Sequence, residues 1–362
     1  MIQKLNKKTL LIIFLVIYNL IFIVNTHAQT SQTLYLNRVG FCDIEVGYDV
    51  HVVGDTAYVT NNDGLIIIDV GNPHNPQEIG EALIGGSLGF MIEDNKAYIA
   101  STANGFTIID VSTPSNPIIL GSDSTGGANK ITVLDTYAYV SYLNGRFKIF
   151  NISDPTTPIL KGEYIDTRID DIQIKNDIIY LSNPEVGLKV INVSNPLSPQ
   201  FITTVSQTGG VNDVYISNNT LFLARWGSGV TSLDISNPIS PMLLDTLNDN
   251  DGGEELGLVE QNGILYVADN YGVELFNVTN PNSIIEIAER TEDVIAAHEI
   301  DVDEDYIYVA QGGGLLILEE SATPESEDWI FYTSIVSSVF ATAMISIILY
   351  LKFNKKRDTG DP

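Results

Sequence analysis

A repeat of about 41 residues runs through most of this 362-residue chain and constrains its fold more than any other feature. In each unit an Asp, Asn or Glu closes the third of the apolar runs. These closing residues, 41 to 43 positions apart, are Asp69, Asp110, Asn151, Asn192, Asp234, Asn277 and Glu319. An aromatic residue recurs in the second run, at Tyr58, Tyr98, Tyr139, Tyr180, Phe222, Tyr266 and Tyr308. The series of closing residues and the series of aromatic residues each have seven members, so the chain contains seven units.

Each complete unit divides into four short apolar runs separated by turn-forming residues, and helical periodicity is absent from the repeats. Four strands per repeat of this length are typical of β-propeller blades. The seventh unit has three runs, and Thr33–Ile44 resembles the missing fourth strand. The sequence therefore predicts an all-β, seven-bladed propeller of four-stranded blades, closed by an N-terminal strand. The alternative, an open solenoid, needs polar caps that the sequence does not offer.

The repeats resemble the LVIVD repeat family over Asp43–Glu319. The phrases that carry the resemblance are GLIIIDVGNPHNP (64–76), GFTIIDVSTPSNP (105–117), GLKVINVSNPLSP (187–199) and GVTSLDISNPISP (229–241). Units five to seven depart from this pattern, and residues 248–255 (NDNDGGEE) are an insertion. The resemblance implies a β-propeller of the kind found in bacterial and archaeal surface proteins, mostly without an assigned activity.

The two ends of the chain predict export and anchoring. Residues 1–28 begin with lysines, continue through an apolar run and end in small residues, which is typical of a signal peptide cleaved after Ala28. The alternative is an uncleaved signal anchor. Residues 329–351 are uncharged and long enough to form one C-terminal transmembrane helix. Basic residues in the tail, 352–362, predict that it is cytoplasmic.

We therefore expect a single-pass type I protein of the cell membrane, with an extracytoplasmic propeller (29–320) and a short linker (321–328). Residues 29–328 hold 44 acidic and 11 basic side chains, a formal net charge of −33. Such a charge disfavours nucleic acid and anionic lipid as partners. It indicates either solubility in a salty exterior or attraction for cationic partners. Cys42 is the only cysteine, so neither an intramolecular disulfide nor a cysteine-built metal site is available.

The closing residues of the repeats favour a structural interpretation over a ring of functional carboxylates. An Asp or Asn at the end of a strand accepts backbone N–H groups and holds the following turn. Asn replaces Asp at three positions, which a turn tolerates and a charge-dependent site does not. Three of the four N-x-Ser/Thr sequons coincide with this turn position. The fourth, Asn218, lies in a predicted exposed turn and is the best candidate for glycosylation.

One candidate site is the mouth of the central channel. The first position of each blade carries Asp49, Gly89, Lys130, Asp171, Asp213, Gly257 and Glu299. We expect four carboxylates and one lysine to meet there, as a weak cation or water site or as anchors for the first strands. A second candidate is the insertion, where Asp249, Asp251, Glu254 and Glu255 predict Ca²⁺ ligands. The alternative there is a solvated acidic loop.

A third candidate lies on the loops from the second to the third strand of each blade. Arg225 and Trp226 predict an interface anchor or a sugar-stacking platform, unless the Trp packs over its own blade. Tyr142, Arg146 and Tyr271 lie in equivalent loops and extend the same predicted patch.

The functional hypothesis is a non-enzymatic module that binds a protein or a glycan at the cell surface. The alternative is an extracytoplasmic, glycan-active enzyme with two rim carboxylates about 5 to 9.5 Å apart, and a purely architectural role is a third. The sequence contains no serine-hydrolase, zinc-protease or phosphate-binding motif, which favours the binding module.

Overall fold

The computed structural model describes residues 34–166, 168–248 and 253–322. These residues form seven antiparallel sheets of four strands, one sheet for each repeat. Strand β1 (Tyr35–Asp43) comes first in the chain and belongs to the last sheet. The all-β propeller and its blade count, both predicted from the repeat, are confirmed.

Within the first six blades the strands follow one another in chain order, from the innermost strand to the outermost. Blade 1 contains β2 (Asp49–Val53), β3 (Thr56–Thr60), β4 (Gly64–Asp69) and β5 (Gln77–Leu83). Blade 2 contains β6 (Ser87–Glu93), β7 (Lys96–Ser101), β8 (Gly105–Asp110) and β9 (Ile118–Asp123). Blade 3 contains β10 (Ala128–Leu134), β11 (Tyr137–Tyr142), β12 (Arg146–Asn151) and β13 (Ile159–Ile165).

The next three blades have the same order. Blade 4 contains β14 (Ile172–Lys175), β15 (Ile178–Leu181), β16 (Leu188–Asn192) and β17 (Gln200–Val205), followed by a 3-10 turn at Ser206–Thr208. Blade 5 contains β18 (Val211–Ser217), β19 (Thr220–Arg225), β20 (Gly229–Asp234) and β21 (Met242–Leu247). Blade 6 contains β22 (Glu255–Gln261), β23 (Ile264–Asp269), β24 (Gly272–Asn277) and β25 (Ile285–Arg290).

Blade 7 is completed by the N-terminal strand, as the sequence predicts. Its last three strands in the chain are β26 (Ala297–Val302), β27 (Ile307–Gln311) and β28 (Gly314–Ser321). Strand β1 pairs with β28 and takes the outermost position. Because β1 covers the edge of β28 and leads directly into blade 1, the two ends of the repeat region are held together.

The recurring aromatic residue packs each blade against the next. All seven of these side chains are buried. Tyr58 of blade 1 shares an apolar cluster with Phe90 and Ile99 of blade 2. Tyr308 of blade 7 shares one with Val50 of blade 1, so the same contact also closes the ring. Burial of apolar area between sheets provides the main favourable free energy for a fold without disulfides.

Six of the seven closing residues hold turns, as predicted; the seventh, Glu319, lies within β28. The Oδ1 atom of Asp69 accepts a hydrogen bond from the Gly71 backbone N–H at 2.9 Å, and Asp110 does the same for Ser112. Equivalent bonds follow Asn151, Asn192, Asp234 and Asn277. These carboxylates and amides therefore stabilise the chain between the third and fourth strands.

The regions predicted to lie outside the propeller fall largely on residues that the structure does not describe. Among the described residues, no helix is long and apolar enough to span a membrane. The predicted signal peptide (1–28) and transmembrane helix (329–351) lie outside the described residues and stay predictions.

Candidate functional site

The loops from the second to the third strand and the loops between blades lie on one side of the propeller, which we call the upper face. Backbone hydrogen bonds link the two kinds of loop. The N–H of Ile84, between blades 1 and 2, donates to Asp63 O at 3.0 Å. The N–H of Gly127, between blades 2 and 3, donates to Thr102 O at 2.7 Å. The first position of each blade lies at the centre of this face, where the innermost strands begin.

The structure brings the predicted channel-mouth residues together. The Lys130 ammonium lies 2.8 Å from Glu299 Oε2 and 3.6 Å from Asp49 Oδ2, although these residues belong to blades 3, 7 and 1. Asp171 and Asp213 complete the group, and all four carboxylates are buried. They line a cavity of about 270 Å³ on the propeller axis.

The two glycines in this ring of positions make room for their larger neighbours. A Cβ atom on Gly89 would lie 2.4 Å from Cδ of Lys130, and one on Gly257 would lie 2.1 Å from Oε1 of Glu299. Each of these two glycines therefore lies in the blade directly before one whose long side chain, Lys130 or Glu299, occupies the space beside it. This packing explains why the repeats differ at their first position.

Three of the four carboxylates bridge neighbouring blades. Asp49 accepts a hydrogen bond from the Phe90 backbone N–H at 3.1 Å. Asp171 accepts from Val214 at 3.3 Å, and Asp213 accepts from Leu258 at 3.0 Å. In each pair the acceptor belongs to one blade and the donor to the next. The interpretation of these acids as anchors for the first strands therefore accounts for their contacts.

Burial also changes how these groups ionise. It raises the pKa of Asp213 well above its usual range, and the neighbouring Asp171 and Glu299 raise it further. Burial likewise raises the pKa of Glu299, to about 8. Burial alone would lower the pKa of Lys130, but Asp49 and Glu299 more than compensate, and this pKa is raised. The channel mouth therefore combines an ammonium with a Glu299 carboxyl group whose pKa lies near neutral pH.

The predicted Ca²⁺ site lies mostly outside the described residues. Asp249 and Asp251 are in the undescribed stretch 249–252, and the Glu255 side chain also lies outside the described part of the structure. At Glu254 the backbone N–H donates to Asn270 Oδ1 at 3.1 Å. Within the described part of the chain, no group of three or more His, Cys, Asp or Glu side chains is placed to hold a metal ion. Calcium binding by the insertion stays a prediction.

Trp226 lies exposed on the upper face, with 46% of its surface accessible. The Arg168 guanidinium, from the loop between blades 3 and 4, lies over the indole ring at 5.8 Å from its centre. Asp170 accepts a hydrogen bond from Arg168 Nε at 2.7 Å and so fixes the guanidinium. A cation at this distance stabilises the ring position, and Trp226 is held in place while remaining accessible.

The other predicted rim residues divide into two groups. Tyr271 is 57% exposed, whereas Tyr142 is only 1% exposed and was wrongly placed on the predicted surface patch. Tyr142 is the last residue of β11, where its side chain turns into the blade and its hydroxyl donates to Asp123 Oδ2 at 3.3 Å. The Lys148 ammonium lies 4.5 Å from the ring centre.

Arg225 is less accessible than the predicted interface anchor requires. It is half-buried, and its guanidinium donates to Thr231 Oγ1 and Asn248 Oδ1, each at 3.3 Å. These bonds connect β19 to β20 and to the end of β21. Arg225 therefore supports the loop that presents Trp226.

The structure adds three exposed side chains that the sequence reasoning missed. Leu143 (55% exposed) and Val186 (39%) lie on the same kind of loop as Trp226, and Ile295 (61%) lies on the loop into blade 7. With Trp226 and Tyr271 they form what we call the apolar arc, which extends over blades 3 to 7. For Leu143 and Val186 the signal was an apolar residue in the aligned loops of blades 3 to 6.

Comparison with known proteins identifies the repeat. The family model for the LVIVD repeat matches residues 47–83, 91–125, 125–166, 168–207, 208–249 and 296–322. All four strands of blade 6 lie between the last two matched ranges, in the part of the sequence that departs from the pattern. A search of curated proteins found no match.

Solved structures with the same fold share little sequence with this chain. The WD40 propeller domain of Doa1 superposes with a TM-score of 0.64 at 11% identity, covering 79% of this chain and 97% of that one. The propeller domain of Cps50 (Swd1) from Myceliophthora thermophila gives 0.64 at 9% identity, covering 79% and 99%. The computationally designed protein Ika8 gives 0.58 at 9% identity, covering 78% and 99%. At these identities the likeness concerns the fold.

Proposed function

Because the chain belongs to the LVIVD repeat family and folds as a seven-bladed propeller, we propose that it is a binding module displayed on the outside of the cell. In this proposal the C-terminal apolar segment, 329–351, holds the protein in the membrane as a single-pass type I protein. The propeller then recognises a macromolecular partner through its upper face.

The apolar arc is the observation that carries the binding function. Five large apolar side chains are exposed on loops of this one face, and exposed apolar surface collected on one face is typical of an interaction site. Trp and Tyr are the residue types that most often dominate binding free energy at interfaces. Arg168 lies over the Trp226 ring. The backbone N–H of Trp226 donates to Gly210 O at 3.3 Å and fixes the main chain there. A fixed aromatic side chain loses little conformational entropy when a partner binds.

A substitution on the arc, paired with a matched control, tests the binding function. The Trp226→Ser variant removes the central side chain of the arc. Phe201→Ser removes an aromatic side chain of similar exposure, 51%, from β17 on the outer edge of blade 4. We expect Trp226→Ser to abolish binding of the labelled protein to cell envelopes of the source organism, and Phe201→Ser to leave it unchanged. Equal binding by both variants would place recognition elsewhere.

The membrane location has its own test. A reporter epitope after residue 362 and another within the propeller can be probed with protease on intact cells. We expect the propeller epitope to be cleaved and the C-terminal epitope to be protected, because positive charge follows the apolar segment. Protection of both epitopes would show that the propeller is not exposed outside the cell.

The carboxylates that a glycan-active enzyme would use are engaged in the fold. Asp49, Asp171 and Asp213 accept backbone hydrogen bonds from neighbouring blades, and Glu299 pairs with Lys130. A general acid and a nucleophile must instead face the glycosidic bond from either side. The observed contacts favour the binding module, and the enzymatic alternative has no observation of its own.

A further inference from the structure

We propose that the apolar arc binds a segment of a partner protein that presents lysine or arginine beside apolar side chains. This inference rests on the proposed binding function and specifies the chemistry of the partner. It depends on how charges are distributed around the arc.

Several cationic side chains near the upper face already have acidic partners within the protein. Ion pairs near this face include Arg146–Glu163 (2.7 Å), Arg168–Asp170 (2.7 Å), Lys130–Glu299 (2.8 Å) and Lys189–Asp166. Arg290 is buried, donates to Leu36 O at 2.5 Å and lies 3.5 Å from Asp293. These cations are therefore poorly placed to attract an anionic partner.

Acidic side chains beside the arc lack such partners. Glu185 immediately precedes Val186, and Glu292 lies three residues before Ile295. Both are exposed, and within the described ranges neither takes part in an ion pair. Negative charge therefore lies next to the apolar surface rather than being neutralised there.

A partner that fits this surface must satisfy both of its properties. Apolar side chains would cover Trp226, Tyr271 and their neighbours, and cations would meet Glu185 and Glu292. Complementary charge of this kind speeds association and selects the partner. The carboxylates of Glu185 and Glu292 repel anionic polymers. A neutral glycan would make no charge-complementary contact with them. A basic segment with interspersed apolar residues matches the surface best.

The test uses the fluorescently labelled full chain on two arrays, one of random 12-residue peptides and one of neutral glycans. Three variants are compared with the unchanged protein: Trp226→Ser, the double variant Glu185→Gln/Glu292→Gln, and the control Phe201→Ser. Thermal unfolding is measured for each, so that a folding defect is separated from a binding defect. Binding is measured at about 50 mM and 500 mM NaCl, since screening weakens attraction between exposed charges.

We expect the peptides that bind to carry net positive charge and apolar residues. Their binding should fall about tenfold or more with Trp226→Ser and lose most of its salt dependence with Glu185→Gln/Glu292→Gln. Phe201→Ser should bind like the unchanged protein. If the Trp226-dependent ligands are neutral or acidic peptides, or glycans, the partner chemistry is wrong while the binding face stands. If no ligand depends on Trp226, the proposed function fails as well.

Discussion

The ammonium of Lys130 is the structural feature that most strongly predicts a pH-dependent stability. Replacing it with methionine, Lys130→Met, keeps most of the side-chain volume and removes the charge that faces Glu299 and Asp49. Breaking a buried ion pair costs about 3–5 kcal/mol. Because the Lys130 side chain is 22% exposed, we expect the low end, about 3 kcal/mol at pH 8.

The stability lost in Lys130→Met should depend on pH. The direction of that dependence follows from the raised pKa values of the carboxyl groups. A carboxyl group whose pKa is higher in the folded state binds more protons there than in the unfolded chain. Its contribution to stability is therefore largest below the unfolded pKa and is lost as pH rises through the folded pKa. For Glu299 this window extends from its ordinary pKa to about 8. Stability should fall by up to about 1.4 kcal/mol per pH unit for each such group.

At pH 5 the Glu299 carboxyl group is largely protonated, so it needs the ammonium much less. We expect Lys130→Met to lower the apparent melting temperature by about 6 °C at pH 8 and by much less at pH 5. Thermal unfolding of the full chain from pH 5 to pH 8 measures this difference. Lys161→Met, on the outer strand β13, is the control and should change little. An equal loss at both pH values would refute the electrostatic role of Lys130.

Three further predictions concern the repeats. Gly80→Ala should destabilise the protein by about 1–3 kcal/mol in chemical unfolding, because the added Cβ atom would lie 2.1 Å from Pro114 O of the next blade. Unchanged stability of this variant would show that the blades can move apart. Deletion of β1 (Tyr35–Asp43) should expose the edge of β28 and cause association in size-exclusion chromatography, and a monomeric product would contradict the closure. In a glycosylating host, mass spectrometry should find sugar on Asn218, which is exposed at a turn with φ 52°; sugar on the turn-holding asparagines alone would contradict this.

The fold could be predicted because the repeat constrains it several times over. Seven copies fix the blade count, and the missing fourth strand of the last copy identifies the role of Tyr35–Asp43. The turn-holding role of Asp69 and its equivalents also followed from the sequence, because Asn replaces Asp at some of these positions. These features depend on local chemistry that every repeat shares.

The candidate site was predicted less completely, since it depends on the direction of single side chains. Tyr142 and Leu143 are neighbours, but the first ends a strand and turns inward, whereas the second lies in the loop and is exposed. An error of one position moves a side chain between the core and the surface. Arg168 was missed because its contact with Trp226 joins two loops 58 residues apart.

Site-specific photo-crosslinking in living cells tests whether the upper face of the propeller meets the partner. A photoreactive amino acid is placed at position 226 or 271 on the apolar arc, and at position 201 or 118 on the outer strands as controls of comparable exposure. We expect one crosslinked partner from both arc positions and none from the outer strands. Crosslinks from the outer strands, with none from the arc, would contradict this expectation.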